Sequence, residues 1–248
     1  MTFTKGFSFL YKRILASALL ILCVGTVIGA QGEDAFFISE RVIFSETELL
    51  TVDLRIPQVG LGNKNAAKQL NEEWQTQAEL FIDEISTSAK KLFGELEDGG
   101  SHWFPFVAAG SFRVGYADKN VLSIPIQYYR FSGGAHGMTY QFAYNIDTRT
   151  GKVLTLADLF LSNFDYRRFI ADEVKRQMGL EPEIYFPENF SNLEITSEQP
   201  FYFTAENLVI FFGLYEIAPY SSGIREFPIP FSWVWEGLQP RFFKKQGS

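Results

Sequence analysis

The sequence predicts an α+β fold, an antiparallel sheet with two main helices packed on it, in a single compact domain. Runs that alternate between apolar and polar residues predict strands, whereas two longer segments repeat apolar residues every three or four positions and predict helices. The strands come in runs with the helices inserted between them, which favours α+β over a parallel α/β arrangement. With 248 residues, 46% of them hydrophobic, the chain can bury one sizeable core.

The first thirty residues are predicted to be a signal peptide. Lys12 and Arg13 precede an uncharged apolar run, residues 14–30, that ends in small residues at Ala30. A basic start, an apolar centre and small residues at the end are typical of a secretory signal. An uncleaved N-terminal anchor is the alternative, because about 17–25 apolar residues suffice to cross a membrane. We expect cleavage after Ala30, which leaves residues 31–248 as the exported domain.

The exported domain is acidic and has no cysteine. Cleavage removes three basic residues and no acidic one, so the net charge changes from −7 to −10. The one cysteine, Cys23, leaves with the signal, so the core and not disulfides has to stabilise the domain. The acidic balance argues against nucleic acid as a partner, because phosphates are bound by basic patches.

The first part of the domain predicts a strand, a long helix and a second strand. Residues 31–48 show no clear pattern, and Leu50 to Pro57 alternates as a strand that Pro57 and the following glycines should end. The helix starts at an asparagine cap and stops at Gly94, and Phe106 to Tyr116 forms the next strand. The apolar stripe of the helix consists of Ala67, Leu70, Trp74, Ala78, Phe81, Ile85, Ala89 and Leu92.

The centre of the chain predicts two more strands joined by a glycine-rich connection. Pro125 lies inside the first of them and lacks an N–H, which predicts an edge position or a bulge. The connection contains Gly133, Gly134 and Gly137, and this density predicts positive φ angles or close backbone approach. The alternating residues that should face the core are Leu122, Ile124, Ile126 and Tyr128 in one strand and Tyr140, Phe142, Tyr144 and Ile146 in the other.

A turn and two capped helices are predicted next. Asp147 opens a hairpin turn with Gly151 in the left-handed position. Thr155 with Asp158, and again Ser162 with Asp165, have the spacing of a capping box. The remaining predicted elements are a helix from Tyr166 to Met178 that stops at Gly179, an irregular stretch to Pro200, a hairpin of Phe201–Phe203 and Leu208–Leu214 with the second strand central, an extended Phe227–Pro230, and a short helix holding Trp233 and Trp235.

Few residues suggest catalysis. His136 is either a ligand or general base in a glycine loop or, as we prefer, a structural histidine that bonds neighbouring backbone. Asp147 and Asp158 could pair for glycoside chemistry, but a turn and a helix cap explain them without it. The domain lacks cysteine and any His-x-x-x-His pair, so no metal site is expected, and it shows no nucleophile motif or phosphate loop.

Three segments together carry a resemblance to a known family. They are the Gly-Gly-Ala-His-Gly run at 133–137 with Asn145, Asp147, Thr150-Gly151-Lys152 and 156–160; the run Tyr215-Glu216-Ile217-Ala218-Pro219-Tyr220 with Gly223; and an extended stretch ending in Ile56-Pro57 before the long helix. This combination resembles the RsiV-type extracytoplasmic domain, an exported domain of unknown function (the 3298 family, with a helix-bearing N-terminal part of the 4163 type). The residues that make up the expected structural motif are Gly133, Gly134, His136, Gly137, Asp147, Gly151, Asp158, Tyr215, Pro219 and Gly223.

The resemblance implies an exported binding or sensing domain without catalysis or cofactor. The RsiV-type domain binds lysozyme and thereby exposes its receptor to regulated proteolysis, so the expected partners are a basic protein such as lysozyme, or peptidoglycan fragments. Only thirteen residues precede the apolar run, so we expect the ligand-binding part without a sigma-binding segment. The expected contact residues are Trp103, His136, Glu216, Tyr220 and Trp233.

Two other functions stay open at this point. Related domains occur attached to polysaccharide deacetylases, so a peptidoglycan-acting enzyme, or an accessory domain of a cell-wall deacetylase or hydrolase, is the alternative. A purely structural envelope protein is the third. In all three the domain lies in the periplasm or outside the cell, and it contacts the membrane only through residues 14–30 if they are not cleaved.

The signal leads to a direct prediction. Because a basic start, an apolar run and small residues at Ala30 favour cleavage there, N-terminal sequencing of the protein from its native envelope should begin at Gln31. A chain that still begins near Met1 would instead show that residues 14–30 remain as an anchor.

Overall fold

The computed structural model describes residues 20–24, 36–95 and 104–243, and it has the predicted α+β fold. The strands are β1 (Leu20–Val24), β2 (Phe37–Glu46), β3 (Leu50–Gly60), β4 (Phe106–Phe112), β5 (Tyr116–Ala117), β6 (Val121–Phe131), β7 (Met138–Asp147), β8 (Phe201–Phe203), β9 (Asn207–Phe212) and β10 (Arg225–Pro230). The helices are α1 (Lys64–Glu95), α2 (Leu156–Leu159), α3 (Tyr166–Met178), α4 (Pro187–Asn192) and α5 (Phe231–Val234). None of the helices in the described ranges combines the length and apolarity that crossing a membrane requires.

A seven-stranded sheet forms the middle layer. Its strand order is β1-β2-β3-β4-β6-β5, and β7 pairs with the other side of β6. All pairs are antiparallel except β3 with β4, which run parallel because α1 carries the chain back along the sheet between them. β1 falls inside the predicted signal, so cleavage after Ala30 would leave β2 at the edge of the sheet.

The long helix α1 covers one face of this sheet as predicted. Asn63 caps its start by accepting a hydrogen bond from the Ala66 N–H at 3.1 Å, and the helix runs one residue past Gly94. Trp74 is fully buried at the centre of the contact. Leu92 is the exception in the predicted stripe: it is 38% exposed near the end of the helix.

The sequence pattern missed β2 and ended β3 too early. β3 continues through Pro57 to Gly60 and pairs with β2 from Thr51 to Gly60. Pro57 is tolerated because β4 accompanies β3 only from Leu50 to Leu54, so the later residues have a partner strand on one side only. There the side chain of Asn71 replaces a strand, since it accepts from the Val59 N–H at 2.8 Å and donates to the Val59 carbonyl at 2.9 Å.

Pro125 lies opposite a bulge, one of the two positions predicted for it. Phe112 pairs with Ile126 and Tyr116 with Ser123, so three residues face two on β6. The predicted single strand from Phe106 to Tyr116 is therefore divided into β4 and β5. β6 itself is internal to the sheet, so the bulge, and not an edge position, accommodates the proline.

The faces of β7 are only half covered. Tyr144 and Ile146 are buried under α1 as the alternation predicts, but Tyr140 and Phe142 are 37% and 49% exposed. The prediction that all four face the core is wrong for these two. Both side chains line a groove beside α1, whose Leu80 and Phe81 leave them partly open to solvent.

A second sheet, with the order β10-β9-β8, packs on the other side with α3. β9 is central, as its two apolar faces predicted, whereas β10 was predicted only as an extended stretch.

The capping box predicted for Ser162 and Asp165 is wrong. Asp165 itself caps α3 by accepting a hydrogen bond from the Arg168 N–H at 3.3 Å, and Ser162 lies outside the cap. α3 ends at Gly179 as predicted, and α4 lies in the stretch where no pattern was visible.

Two buried polar side chains connect the two sheets. Ser123 and Asn145 are paired neighbours on β6 and β7, and they are 0% and 2% exposed. The Ser123 hydroxyl donates to Asn145 Oδ1 at 2.7 Å, and Asn145 Nδ2 donates to the Phe201 carbonyl at 2.8 Å. The Phe203 N–H donates to Ser123 Oγ at 2.8 Å. The backbone groups of the β8 edge are thus satisfied by side chains of the large sheet.

We expect Asn145→Ala to lower the free energy of unfolding by about 2–4 kcal/mol, because it leaves the Phe201 carbonyl and the Ser123 hydroxyl buried without their partner. Chemical denaturation measures this loss. Asn192→Ala, at an exposed end of α4, is the matched control and should stay within about 0.5 kcal/mol of the parent. Equal effects of the two substitutions would show that the hydrogen bonds of Asn145 do not contribute measurably to the free energy of unfolding.

Candidate functional site

The structure brings together the two segments that carried most of the resemblance. The loop 132–137 between β6 and β7 meets the loop 213–224 between β9 and β10. The His136 ring stacks on the Tyr220 ring with the centroids 3.9 Å apart and the planes at 22°. The Tyr220 hydroxyl donates to the Gly137 carbonyl at 2.9 Å. Residues separated by more than eighty positions therefore form one surface.

The glycines of the first loop serve two different purposes. Gly133 and Gly134 have φ angles of +83° and +94°, the left-handed conformation that favours glycine. Gly137 is required for a close approach, since a Cβ there would lie 2.4 Å from the Tyr129 ring and 2.5 Å from the Arg130 carbonyl. Both possibilities predicted for this run are thus realised, at different positions.

Tyr215 is the only non-glycine residue with a positive φ angle in the described part of the chain, at +65°. Its side chain is 51% exposed and lies 5.8 Å from Tyr220, centroid to centroid. Glu216 closes the turn beneath it, because its carboxylate accepts from the Gly213 N–H at 2.7 Å. A bulky residue in this conformation carries backbone strain of the kind that is common at functional sites.

The loop 213–224 is anchored to the core of the domain. Ile217 and Ala218 are buried, and the Ile217 carbonyl accepts from the Phe186 N–H at 3.0 Å. Gly223 reverses the chain with a φ angle of +70°, after a short turn that begins at Pro219. The Tyr215 and Tyr220 rings are therefore presented on a supported backbone.

We call the group of exposed His136, Tyr215 and Glu216 with the partly buried Tyr220 the Tyr215–Tyr220 surface. It offers aromatic faces, one imidazole and one carboxylate that is already bonded within its own turn. His136 Nδ1 lies 3.0 Å from the Gly137 carbonyl oxygen, so the imidazole has a polar contact with neighbouring backbone. In residues 36–95 and 104–243, no three side chains of His, Cys, Asp or Glu converge so that they could hold a metal. The arrangement is suited to contact with a partner.

The two predicted carboxylates have local structural roles. Asp147 accepts from the Arg149 N–H at 3.0 Å in the turn, and Gly151 has the predicted positive φ angle of +77°. Asp158 accepts from the N–H and the hydroxyl of Thr155 at 3.0 Å and 2.9 Å. Burial alone would raise the pKa of Asp158, but the hydrogen bonds from Lys152 and Thr155 outweigh it and hold that pKa below its usual value.

Two predicted contact residues are not part of this surface. Trp103 lies outside the described residues. Trp233, in α5, is 52% exposed. The Arg176 guanidinium of α3 lies over its ring, with Cζ 5.9 Å from the ring centroid. Tyr215 was predicted only as a motif residue. A left-handed tyrosine leaves no signal in the sequence beyond its position in that motif.

A second aromatic surface lies between α1 and β7. Leu80 and Phe81 of the helix, with Tyr128, Tyr140 and Phe142 of the sheet, line a groove of about 540 Å³. The Tyr128 side chain is 4% exposed, and its hydroxyl has no hydrogen-bond partner in the described residues. Burial raises the pKa of Tyr128 to about 12, so it remains a neutral donor.

Two family descriptions match consecutive parts of the chain. Residues 43–139 match "Deacetylase PdaC", and residues 157–232 match "Protein of unknown function (DUF3298)". The first match ends just after the glycine run at 133–137, and the second contains the loop 213–224, which we call the tyrosine loop. The Tyr215–Tyr220 surface is therefore formed where the two matched parts meet.

The chain is also similar to one characterised protein and to two solved structures. The chain is 26% identical over 200 residues to the anti-sigma-V factor RsiV of Bacillus subtilis (strain 168), an alignment that covers 76% of this chain and 65% of RsiV. A DUF3298 family structure from Bacteroides fragilis superposes with a TM-score of 0.58 at 20% identity, over 90% of this chain and 94% of that one. Another, from Pseudomonas aeruginosa PAO1, gives 0.54 at 18% identity, over 92% and 98%. The Bacteroides and Pseudomonas structures therefore share the fold of this chain.

We expect Gly134→Val and Gly137→Val each to lower the free energy of unfolding by about 1–3 kcal/mol. The first places a β-branched residue at a positive φ angle, and the second forces a side chain into the Tyr129 ring. Ala135→Val, between them in the same exposed loop, is the control and should change stability little. A loss as large at Ala135 as at Gly137 would contradict both explanations.

Proposed function

We propose that this chain is an exported binding or sensing domain whose Tyr215–Tyr220 surface contacts a protein partner, since the chain is similar to RsiV and its residues 157–232 match the DUF3298 description. The observation that carries the proposal is Tyr215, a half-exposed aromatic residue held at φ +65° beside Tyr220. A protein tolerates such strain when the exposed ring has a use. Tyrosine is also among the residues that contribute most to protein–protein contacts.

The charge of the domain favours a basic partner. The exported domain carries −10, whereas the ligand expected from the resemblance, lysozyme of the animal type, is strongly basic. Opposite charges raise the rate of encounter, and salt screens this attraction over about 8 Å at physiological ionic strength. Charge alone selects poorly among basic proteins, so specificity has to come from the aromatic anchors.

The substitution Tyr215→Gly separates binding from folding. Glycine adopts the φ angle of +65° without strain, so this variant should be at least as stable as the parent. It should nevertheless bind lysozyme about tenfold more weakly, because a hot-spot aromatic contributes on the order of 1.4 kcal/mol or more. Calorimetry at low and moderate salt measures the affinity, and thermal unfolding measures the stability.

Trp233→Ala is the matched control, since Trp233 is equally exposed but lies outside the proposed surface. It should leave lysozyme binding unchanged. A basic protein of similar size and charge tests selectivity. The proposal fails if all binding disappears at moderate salt, if the second basic protein binds equally well, or if Tyr215→Gly and Trp233→Ala have the same effect.

Recognition of a cell-wall component is a second candidate, favoured by the groove between α1 and β7. The groove combines the exposed rings of Tyr140 and Phe142 with the polar side chains of Gln77, Glu84 and Arg130, a mixture of apolar walls and polar groups that is typical of ligand sites. Co-sedimentation of the protein with peptidoglycan, with a hydrolase and deacetylase assay in parallel, distinguishes this accessory role from lysozyme recognition and from catalysis.

A further inference from the structure

A cavity of about 590 Å³ opens at the end of the domain remote from the Tyr215–Tyr220 surface. It lies between the start of β5, the turn before β9 and the helix α5. Asn207 borders it at one end of β9, whereas Gly213 at the other end belongs to the tyrosine loop. The six residues of β9 separate the cavity from the tyrosine loop by roughly 20 Å.

Aromatic rings form much of the wall of this cavity. Phe243 is 5% exposed, and its ring centroid lies 5.0 Å from that of Phe231 and 6.2 Å from that of Tyr116. Trp235 adds a fourth, partly exposed ring. Burial, with Asp118 close by, raises the pKa of Tyr116 to about 12, so its ring stays neutral and electron-rich.

Two carboxylates stand at the mouth. Glu206 and Glu236 line the cavity, and both residues are exposed. Neither forms an ion pair with a side chain in the described residues. An apolar ligand would gain from the rings but not from the carboxylates, and a metal ion would gain from the carboxylates but not from the rings. An organic cation gains from both.

We propose that this cavity binds an organic cation, an alkylammonium or guanidinium group of the kind carried by lysine, arginine or choline. The cationic head lies against the rings of Trp235, Phe231 and Tyr116, where the ring quadrupole attracts it. Glu206 and Glu236 supply the opposite charge at the entrance. The proposal is independent of lysozyme recognition, because the cavity shares no residue with the Tyr215–Tyr220 surface.

Nα-acetyl-lysine amide tests the proposal, with Nα-acetyl-norleucine amide as the neutral probe of similar shape. We expect the Trp235 indole N–H signal to shift on titration with the lysine probe, with a Kd at least tenfold lower than for the norleucine probe. Nα-acetyl-arginine amide and choline, titrated in the same way, show whether the guanidinium or the quaternary ammonium group is preferred. Equal affinity for the lysine and norleucine probes overturns the proposal.

The double substitution Glu206→Gln with Glu236→Gln should weaken binding of the lysine probe at least tenfold. Glu188→Gln with Glu194→Gln changes the net charge by the same amount at exposed positions outside the cavity and should leave the affinity unchanged. If both double variants weaken binding equally, the attraction is general and the site does not exist. Thermal unfolding of each variant checks that the fold is intact.

The lysines that follow Phe243 in the sequence provide the last control. Lys244→Ala with Lys245→Ala should not alter the Kd of the lysine probe. If this variant binds the probe at least fivefold more tightly, the tail of the chain itself competes for the cavity, and the proposal of an external cation is wrong.

Discussion

The pair Ser123 and Asn145 is the contact on which the arrangement of the two sheets depends. Both side chains are buried, and each bonds the other and one backbone group of the β8 edge. A strand edge placed against a sheet face must find hydrogen-bond partners, because unpaired backbone groups are costly when buried. Here two side chains supply them without a backbone ladder. Gly115 completes the contact, since a Cβ there would lie 2.3 Å from the Phe203 carbonyl.

Both proposed surfaces follow from this way of joining the sheets. When β8 and β9 are fixed against β6 and β7, the tyrosine loop after β9 comes to lie beside the glycine run before β7, and His136 stacks on Tyr220. At the opposite end, the turn before β9 and the helix α5 close around Tyr116. A shift of one sheet against the other would separate the partners in both places. The two surfaces are thus the two ends of one interface.

The physical character of the molecule is consistent with binding by rigid aromatic groups. The tyrosine loop is anchored by buried Ile217 and Ala218, so little freedom would be lost on contact with a partner. The strained Tyr215 is tolerated because the backbone on both sides is fixed by hydrogen bonds of Gly213 and Ile217. Glu216 lies in the Tyr215–Tyr220 surface, and Glu206 and Glu236 line the cavity beside α5. Under the two binding proposals, the rings would set the selectivity and the carboxylates would raise the rate of encounter.

The sequence by itself determined the fold class, the helices α1 and α3, the central position of β9 and the glycine-rich connection between β6 and β7. Each of these leaves a local trace: a period of 3.6, a period of two, a glycine that needs a positive φ angle. It could not show that Tyr140 and Phe142 are exposed, because alternation identifies a face and not what covers it. Likewise β2 shows no clear pattern, since most of its residues are only partly covered. The stacking of His136 on Tyr220 was decided by the tertiary structure alone, because contacts between distant segments depend on how the sheets dock, and docking leaves no period in the sequence.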